Sequence, residues 1–282
     1  PNVGKSTMIN ALIGDKIAIV SDKAQTTRNR IICVYTDEEK QIVFMDTPGV
    51  HKPKHKLGEF MVDAAIESLK ETEAVLFVVA GNEKRGPGDN FIIEQLKRVK
   101  VPVFLVVNKI DTLQKEQVLE AIVSYQDAYP FAGVIPISAK NKENLSELLN
   151  VLGEHLPEGP QYFPEDMITD QPERLIISDI VREKILLSTR DEIPHAIAVD
   201  VDEMKTRDDG TTYIRATIYC ERDSQKGIII GNKGALLRKI GAEARMDIQK
   251  LLATKVYLDL WVKVKKDWRN KSGMLSELGY KK

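Results

Sequence analysis

Two uninterrupted apolar stretches constrain the fold of this chain more than any other feature. Residues 74–79 read Ala-Val-Leu-Phe-Val-Val, and residues 101–107 read Val-Pro-Val-Phe-Leu-Val-Val. They alternate with two stretches of helical periodicity, at about residues 89–98 and 115–128. Strands that are apolar throughout and alternate with helices are typical of a parallel sheet covered on both faces. The first half of the chain is therefore predicted to be an α/β domain with a mostly parallel sheet.

Polar motifs follow three of the predicted strands. Asp-Thr-Pro-Gly at 46–49 follows a strand at 41–45, Asn-Lys-Ile-Asp at 108–111 follows the second apolar stretch, and Ser-Ala-Lys at 138–140 follows a strand at 134–137. Ligands of open parallel sheets bind beyond the carboxyl ends of the strands. Each motif alone also fits an ordinary turn or helix start, but their order and positions indicate one shared site.

The chain begins with Pro-Asn-Val-Gly-Lys-Ser, which reads as the end of a phosphate-binding loop. An apolar helical face follows, and Gly14 is placed to end that helix. Backbone N–H groups near Gly4 would point at phosphates, as at other helix N-termini. The Walker A pattern also has a glycine five residues before Gly4, preceded by a strand. We therefore expect this chain to be a fragment truncated before the P-loop, and to bind nucleotide poorly by itself.

Together the motifs predict a guanine-nucleotide site. A buried Asp111 carboxylate would accept hydrogen bonds from N1–H and the 2-amino group of guanine, and adenine lacks both donors. Asn108 would tie the base loop to the phosphate loop, the Lys109 stem would cover the base, and the Ala139 N–H would meet the guanine O6. The predicted nucleotide-binding residues are Asn2, Val3, Gly4, Lys5, Ser6, Thr7, Asn108, Lys109, Asp111, Ser138, Ala139 and Lys140.

The first half resembles a small GTPase domain of the P-loop class. In that resemblance Lys5 reaches the β and γ phosphates, Ser6 and Asp46 hold Mg²⁺, and the Gly49 N–H meets the γ-phosphate. Thr27 matches the switch I threonine that closes on Mg²⁺, with Thr26 as the alternative.

The resemblance also bears on the rate of hydrolysis. Val50 stands where Ras-like GTPases carry a water-orienting glutamine, so intrinsic hydrolysis is expected to be slow. In related GTPases with similar loops, the asparagine at the position of Asn2 helps to hold K⁺, and we hypothesise the same here. The expected catalytic residues are Asn2, Lys5, Thr27, Asp46 and Gly49.

Composition excludes several other classes of protein. With 43% hydrophobic and 29% charged residues, 282 residues suffice for two cores. No apolar run of about 18 residues occurs, so no membrane-spanning helix is predicted. Cys33 and Cys220 belong to no CxxC pair, which argues against a zinc or disulfide framework and fits the cytoplasm. His51 and His55 lack a third ligand and are read as part of a polar loop.

A proline-rich stretch separates the two halves. Residues 157–172 contain four prolines, which suits a semi-rigid connector. We therefore place a GTPase domain at 1–156, a linker at 157–172 and a second domain with its tail at 173–282. The segment between Gln225 and Ser272 holds twelve basic and four acidic residues, a net charge of +8 in a chain of net charge −1. Such a basic segment points to a polyanionic partner.

The second half combines this charge with a GxxG motif. The predicted order is helix (173–187), strand (195–205), strand (213–220), short helix, Gly-Asn-Lys-Gly at 231–234, helix (235–252) and strand (256–264). This order resembles an α+β KH domain of type II, in which the GxxG loop clamps a single-stranded RNA backbone. The predicted RNA-binding residues are Lys226, Ile228, Ile229, Ile230, Gly231, Asn232, Lys233, Gly234, Arg238 and Lys239.

A P-loop GTPase domain followed by a type II KH domain resembles the Era family of bacterial GTPases. The resemblance implies a slow GTPase that uses GTP, GDP and Mg²⁺. It further implies binding to small-subunit ribosomal RNA near its 3′ end and a role in assembly of the 30S subunit. Peripheral association with the inner face of the cell membrane is attributed to the family, although no pattern in this sequence indicates it. We expect no DNA partner and a monomer.

Three functional readings are open at this point, and the KH type, which favours single-stranded RNA, argues against the third, a two-domain GTPase that acts on tRNA or DNA. The first is a switch that binds RNA when loaded with GTP and releases it after hydrolysis. The second is an RNA-binding assembly factor in which GTP is mainly a structural ligand. Val50 favours the second, whereas the intact motifs at 46–49 and 108–111 favour the first.

Overall fold

The computed structural model describes residues 2–21, 23, 26–49, 53 and 55–280. These residues form two compact units. The first unit lies within residues 2–170. The second covers residues 171–280 together with the described parts of two short segments, 21–26 and 53–60.

The first half of the chain alternates strands and helices as expected. Its described strands are β1 (Ile31–Thr36), β2 (Gln41–Asp46), β3 (Val75–Ala80), β4 (Val103–Asn108) and β5 (Gly133–Pro136). Its described helices are α1 (Lys5–Ile13), α2 (Lys56–Ser68), α3 (Pro87–Leu96), α4 (Lys115–Gln126) and α5 (Leu145–Gly153).

The parallel sheet of the first unit is confirmed. Strands β3, β4 and β5 lie in that order and pair in parallel, whereas β1 and β2 form an antiparallel pair. Residues 103–107 of β4 are all buried because alternate side chains enter two cores. Phe104 and Val106 pack with residues of α1 and α5, and Leu105 and Val107 pack with residues of α3 and α4. This explains why the strand is apolar throughout rather than alternating.

Element boundaries differ from the predictions by a few residues. Strand β4 begins at Val103 rather than at residue 101, directly after Pro102, which has no N–H to give to the ladder. Helix α2 ends at Ser68, because the next amides, including Leu69 N–H to Ile66 O, bond to carbonyls three residues earlier rather than four.

Much of the proline-rich stretch packs on the antiparallel pair of the first unit. The Val34 N–H donates to Ile168 O, and the Thr169 hydroxyl donates to Ile32 O. The Gln41 side chain accepts from the backbone N–H groups of residues 162 and 163. Residues 162–169 are therefore anchored along β1 and β2.

The second unit has the predicted order of elements. Its helices are α6 (Glu173–Ser188), α7 (Ile193–Ala196), α8 (Asp223–Ile230), α9 (Ala235–Leu252) and α10 (Ser272–Glu277), and its strands are β6 (Ala198–Thr206), β7 (Thr212–Cys220) and β8 (Val256–Val264). The sheet order is β6-β7-β8, with the first pair antiparallel and the second parallel. The strand predicted from His195 begins at Ala198, because Pro194 lies in the first turn of the short helix α7.

One face of this sheet forms the core of the second unit. Ile214, Ala216 and Ile218 of β7 are fully buried together with Ile240 and Ile248 of α9. The segment after β8 closes this unit, since the Trp268 ring is fully buried and its Nε1–H donates to Ala196 O at 2.9 Å.

Candidate nucleotide and nucleic-acid sites

The loop before α1 lies directly beside the loop after β4. Gly4 has a φ of 92°, and helix α1 begins at the next residue, Lys5. A Cβ on Gly4 would stand 2.3 Å from Asn108 Nδ2. Glycine is therefore required here by both the backbone conformation and the close approach. The amide groups at the start of α1 form the kind of helix N-terminus that binds phosphate.

Three side chains assigned to Mg²⁺ converge on one point. Ser6 Oγ lies 2.7 Å from Asp46 Oδ2 and 2.9 Å from Thr27 Oγ1. Thr27 Oγ1 in turn lies 3.2 Å from Asp46 Oδ2. Thr26, the alternative to Thr27, donates its hydroxyl to Lys23 O instead. The structure thus brings together residues from α1, from the loop before β1 and from the end of β2.

Asp46 is an unusual carboxylate. It is almost completely buried, and its burial raises the pKa above the ordinary aspartate value. The Lys5 ammonium and the hydroxyls of Ser6 and Thr27 act in the opposite direction. Its other oxygen, Oδ1, is buried without a hydrogen-bond partner among the described residues. A buried oxygen without a partner is unfavourable, and carboxylate and hydroxyl oxygens are ligands that Mg²⁺ prefers. The donor set therefore fits a magnesium ion.

Asn108 connects the loops after β4 and β5 with the phosphate loop. Its Nδ2 donates to Val3 O at 2.8 Å. Its Oδ1 accepts from Lys109 N–H at 2.8 Å and from Ala139 N–H at 3.0 Å. The amide that we assigned to the guanine O6 is thus engaged by Asn108, so the structure gives Ala139 a role in fixing the base loop.

Asp111 lies in a short 3₁₀ turn (Ile110–Thr112) just beyond β4. Its Oδ1 accepts the Ser138 hydroxyl at 2.7 Å, and Ser138 Oγ accepts from Asn141 N–H at 3.1 Å. Asp111 is exposed, which corrects the expectation that it is buried. Its selectivity for guanine would therefore depend on the base itself covering the carboxylate.

Lys109 forms a contact that the motifs did not indicate. Its Nζ lies 3.6 Å from Glu83 Oε1. Glu83 follows β3 and belongs to no recognised motif, so no signal in the sequence could have identified it. Its side chain is 62% exposed, so the pair contributes little to stability.

The remaining predicted nucleotide residues are placed as follows. Asn2 is exposed with a φ of 62°, Thr7 lies in the first turn of α1, and Lys140 is exposed beyond β5. Gly49 lies just past the end of β2. Val50, on which the expectation of slow hydrolysis rests, lies outside the described residues.

The GxxG loop (residues 231–234) joins α8 to α9. Gly231 has a φ of 72°, and a Cβ there would stand 2.8 Å from Leu236 Cβ. Asn232 and Lys233 are exposed at the tip. Arg238 and Lys239, one turn into α9, are also exposed, and Lys226 of α8 is half-buried. The loop therefore offers an exposed, cationic turn at the start of a long helix, as a phosphodiester backbone requires.

The isoleucines of α8 differ in their exposure. Ile228 is 51% exposed and can offer apolar surface to a base. Ile229 is fully buried in the core of the second unit, and Ile230 is half-buried against it. The predicted base contact of Ile229 is therefore wrong, because consecutive helical residues face different directions and the three isoleucines do not form one surface.

No helix among the described residues is long and apolar enough to cross a membrane.

Comparisons with known proteins cover both units. A family model described as "50S ribosome-binding GTPase" matches residues 1–109, and a KH domain model matches residues 192–269. A variant of Aquifex aeolicus Era bound to GDP·AlF4⁻ is 43% identical with a TM-score of 0.96, over 99% of this chain and 96% of that chain. An Era complex with MgGDPNP and nucleotides 1506–1542 of 16S ribosomal RNA is 42% identical with a TM-score of 0.96, over 99% of this chain and 95% of that chain. Identity of this size over nearly the full length of both chains shows that the protein belongs to the Era family of GTPases.

Proposed function

We propose that this protein is a GTP-binding and GTP-hydrolysing switch that binds 16S ribosomal RNA near its 3′ end and assists assembly of the 30S subunit. The observation that carries the proposal is the near full-length similarity to an Era bound at once to MgGDPNP and to nucleotides 1506–1542 of that RNA. Residues of the nucleotide site support the first part of the proposal, and residues of the GxxG loop support the second.

At the base end, the loops after β4 and β5 select guanine. Asp111 accepts from the two donors on the guanine edge, and Ser138 holds that carboxylate in place at 2.7 Å. Asn108 keeps the base loop and phosphate loop at a fixed separation through its bond to Val3 O. A base lacking both donors would leave the Asp111 carboxylate covered and unpaired, which is the origin of the selectivity.

At the phosphate end, the chain supplies positive charge and a helix N-terminus. Lys5 reaches the β and γ oxygens, and Ser6, Thr27 and Asp46 would hold Mg²⁺. When bound, that ion neutralises charge that develops on the phosphates during transfer. Because Thr27 precedes β1 on a loop, its hydroxyl can follow the presence or absence of the γ-phosphate.

Hydrolysis is proposed to be slow without further help. A valine at position 50 cannot orient water by hydrogen bonding. We assign to Asn2 a part in holding K⁺ close to the phosphates, which would add positive charge where charge develops.

At the RNA end, the GxxG loop approaches the phosphodiester backbone. Gly231 and Gly234 carry no side chains, so the backbone at both ends of the loop is open to the phosphates, and Lys233 provides charge. Ile228 offers the apolar contact to a base. The basic residues of α8 and α9 make binding dependent on salt.

The alternative is an RNA-binding factor in which GTP is a structural ligand, and Val50 is the observation that favours it. Lys5→Ala and Asp46→Asn variants separate the two readings if RNA binding persists in both. Loss of 30S assembly in cells that carry these variants supports the switch, whereas normal assembly without turnover supports the alternative. Crosslinking from the GxxG region in cells, followed by sequencing of the attached RNA, identifies the partner, and recovery of no 16S RNA would contradict the proposal.

A further inference from the structure

The outer face of the sheet in the second unit carries exposed aromatic rings that neither proposed site uses. Along β8, Val262 enters the core, whereas Tyr257 and Trp261 are 53% and 55% exposed. Tyr213 of β7 lies beside Tyr257 in the parallel register. Because alternate strand residues point to opposite faces, these rings lie on the side of the sheet away from α9, whose Ile248 is in the core.

The rings nearest the β6–β7 turn are ordered by cations. Tyr213 and Tyr257 stack with centroids 5.9 Å apart and planes 19° apart. The Arg207 guanidinium carbon lies 4.9 Å from each of the two ring centroids, and Lys205 Nζ lies 5.4 Å from that of Tyr213. An arginine stacked on aromatic faces keeps N–H donors at its edge for an outside acceptor.

Two carboxylates beside the rings, those of Asp259 and Glu203, bond to neighbours on this face. Asp259 Oδ2 accepts from Trp261 Nε1 at 3.0 Å and from Tyr213 OH at 3.3 Å. Glu203 Oε1 pairs with Lys205 at 2.8 Å. The charge of Glu203 is therefore partly neutralised by Lys205, and the Asp259 carboxylate is hydrogen-bonded to neutral groups of the same face.

Two cations of this face remain available. Within the described part of the chain, no carboxylate forms an ion pair with Arg207 or with Lys263, which is exposed beyond Trp261 on the same face of β8. Exposed ring faces with nearby cations on a β-sheet match single-stranded RNA, because bases stack on the rings and phosphates pair with the cations.

We propose that this outer face is a second contact surface for single-stranded RNA. Tyr257 and Trp261 stack unpaired bases, and Arg207 and Lys263 contact phosphates. The proposal rests on the proposed RNA partner and extends it from the GxxG loop to the opposite side of the sheet. A polyanion is favoured over a protein because Arg207 and Lys263, the cations beside the rings, form no ion pair among the described residues.

Trp261 provides a direct probe of this surface. The chain has two tryptophans, and the other, Trp268, is fully buried. The full-length protein, loaded with a non-hydrolysable GTP analogue, is titrated with labelled RNA of the sequence of nucleotides 1506–1542 of 16S RNA. Anisotropy of the label measures total binding, and tryptophan fluorescence measures contact at the outer face. We expect quenching that disappears in Trp261→Ala, and binding about tenfold weaker in Trp261→Ala and in Tyr257→Ala.

Matched variants separate this surface from the GxxG loop. Trp261→Phe keeps a stacking ring and should bind RNA like the unmodified protein. Asn232→Asp/Lys233→Asp disables the loop, and quenching of Trp261 should persist at higher RNA concentration. The signal of buried Trp268 reports that each variant is folded.

Two outcomes would overturn the second surface alone. One is that anisotropy shows RNA binding while Trp261 fluorescence is not quenched, and both alanine variants bind the RNA as tightly as the unmodified protein does. The other is a photocrosslinker at position 257 that captures protein rather than RNA in 30S particles. Absence of any RNA binding by anisotropy would instead overturn the proposed function together with this surface.

Discussion

Gly4 and Asn108 are in such close contact that any side chain on the glycine would displace the asparagine. A Cβ at Gly4 would lie 2.3 Å from Asn108 Nδ2, the atom that donates to Val3 O. The phosphate loop and the base loop thus share one contact, although 104 positions separate them in the sequence.

Gly4→Ala should therefore weaken nucleotide binding. The left-handed conformation with a Cβ costs about 1–2 kcal/mol, and loss of the hydrogen bonds of Asn108 costs about 1 kcal/mol each. We expect GTP and GDP affinity to fall about 30-fold or more, measured with a fluorescent nucleotide.

Gly14→Ala is the matched control for that change. Gly14 also has a positive φ, of 88°, but a Cβ there would meet no atom within 4 Å. The Gly14→Ala substitution should lower the free energy of unfolding by about 1–2 kcal/mol and leave nucleotide affinity unchanged. Equal losses of affinity in the two variants would contradict the importance of the contact with Asn108.

Asp111→Asn should change the base that is recognised. The amide oxygen of the new asparagine still accepts from N1–H of guanine. Its nitrogen is a donor, however, and faces the 2-amino group of guanine, which is also a donor. Xanthine has a carbonyl at that position, so the variant should lose about 100-fold in affinity for GTP and gain for XTP. Competition binding measures both. Asp127→Asn, at the exposed end of α4, is the control and should leave the preference for GTP unchanged. If Asp111→Asn also keeps its preference for GTP, the Asp111 carboxylate does not recognise the base.

Potassium should accelerate turnover through Asn2. If K⁺ adds positive charge near the phosphates, GTP hydrolysis should be at least about tenfold faster in KCl than in NaCl. The difference should vanish in Asn2→Ala. Equal rates in the two salts would rule out the potassium site while leaving the GTPase assignment intact.

Cys33 should make stability fall in alkali. Its burial raises the pKa of the thiol from 9.0 to about 12. The unfolded chain therefore loses this proton above pH 9, whereas the folded chain keeps it up to about pH 12. The free energy of unfolding should fall with pH across that window by about 1.4 kcal/mol per pH unit from this group. Urea unfolding from pH 8 to 10.5 measures the slope, which should be smaller in Cys33→Ala, and identical slopes would contradict the assignment.

Much of the fold was predictable because local patterns and tertiary structure agree. The uninterrupted apolar run of β4 is buried on both faces, whereas β8, in which apolar and polar residues alternate, is buried on one face. The pattern of apolar residues in each strand therefore shows how many of its faces are buried. The nucleotide motifs were recognisable because the chemistry of phosphate and guanine demands particular residues at the ends of strands.

Other features depend on contacts that no local pattern encodes. The inward orientation of Ile229 is set by the packing of α8 on the sheet, since its two neighbours are equally apolar. The bond between Asn108 and Ala139 depends on how the loops after β4 and β5 meet. Tyr257 and Trp261 alternate with apolar residues along β8 in the sequence, but the stack of Tyr213 on Tyr257 depends on the register between two strands with 35 residues between them.

The most direct test of the switch is the rate at which RNA dissociates in each nucleotide state. The full-length protein is loaded either with a non-hydrolysable GTP analogue or with GDP and bound to RNA of the sequence of nucleotides 1506–1542. Dissociation is followed after addition of excess unlabelled RNA. The switch predicts slow release with the GTP analogue and release at least several-fold faster with GDP. Identical dissociation rates in the two states would contradict it and leave GTP as a structural ligand.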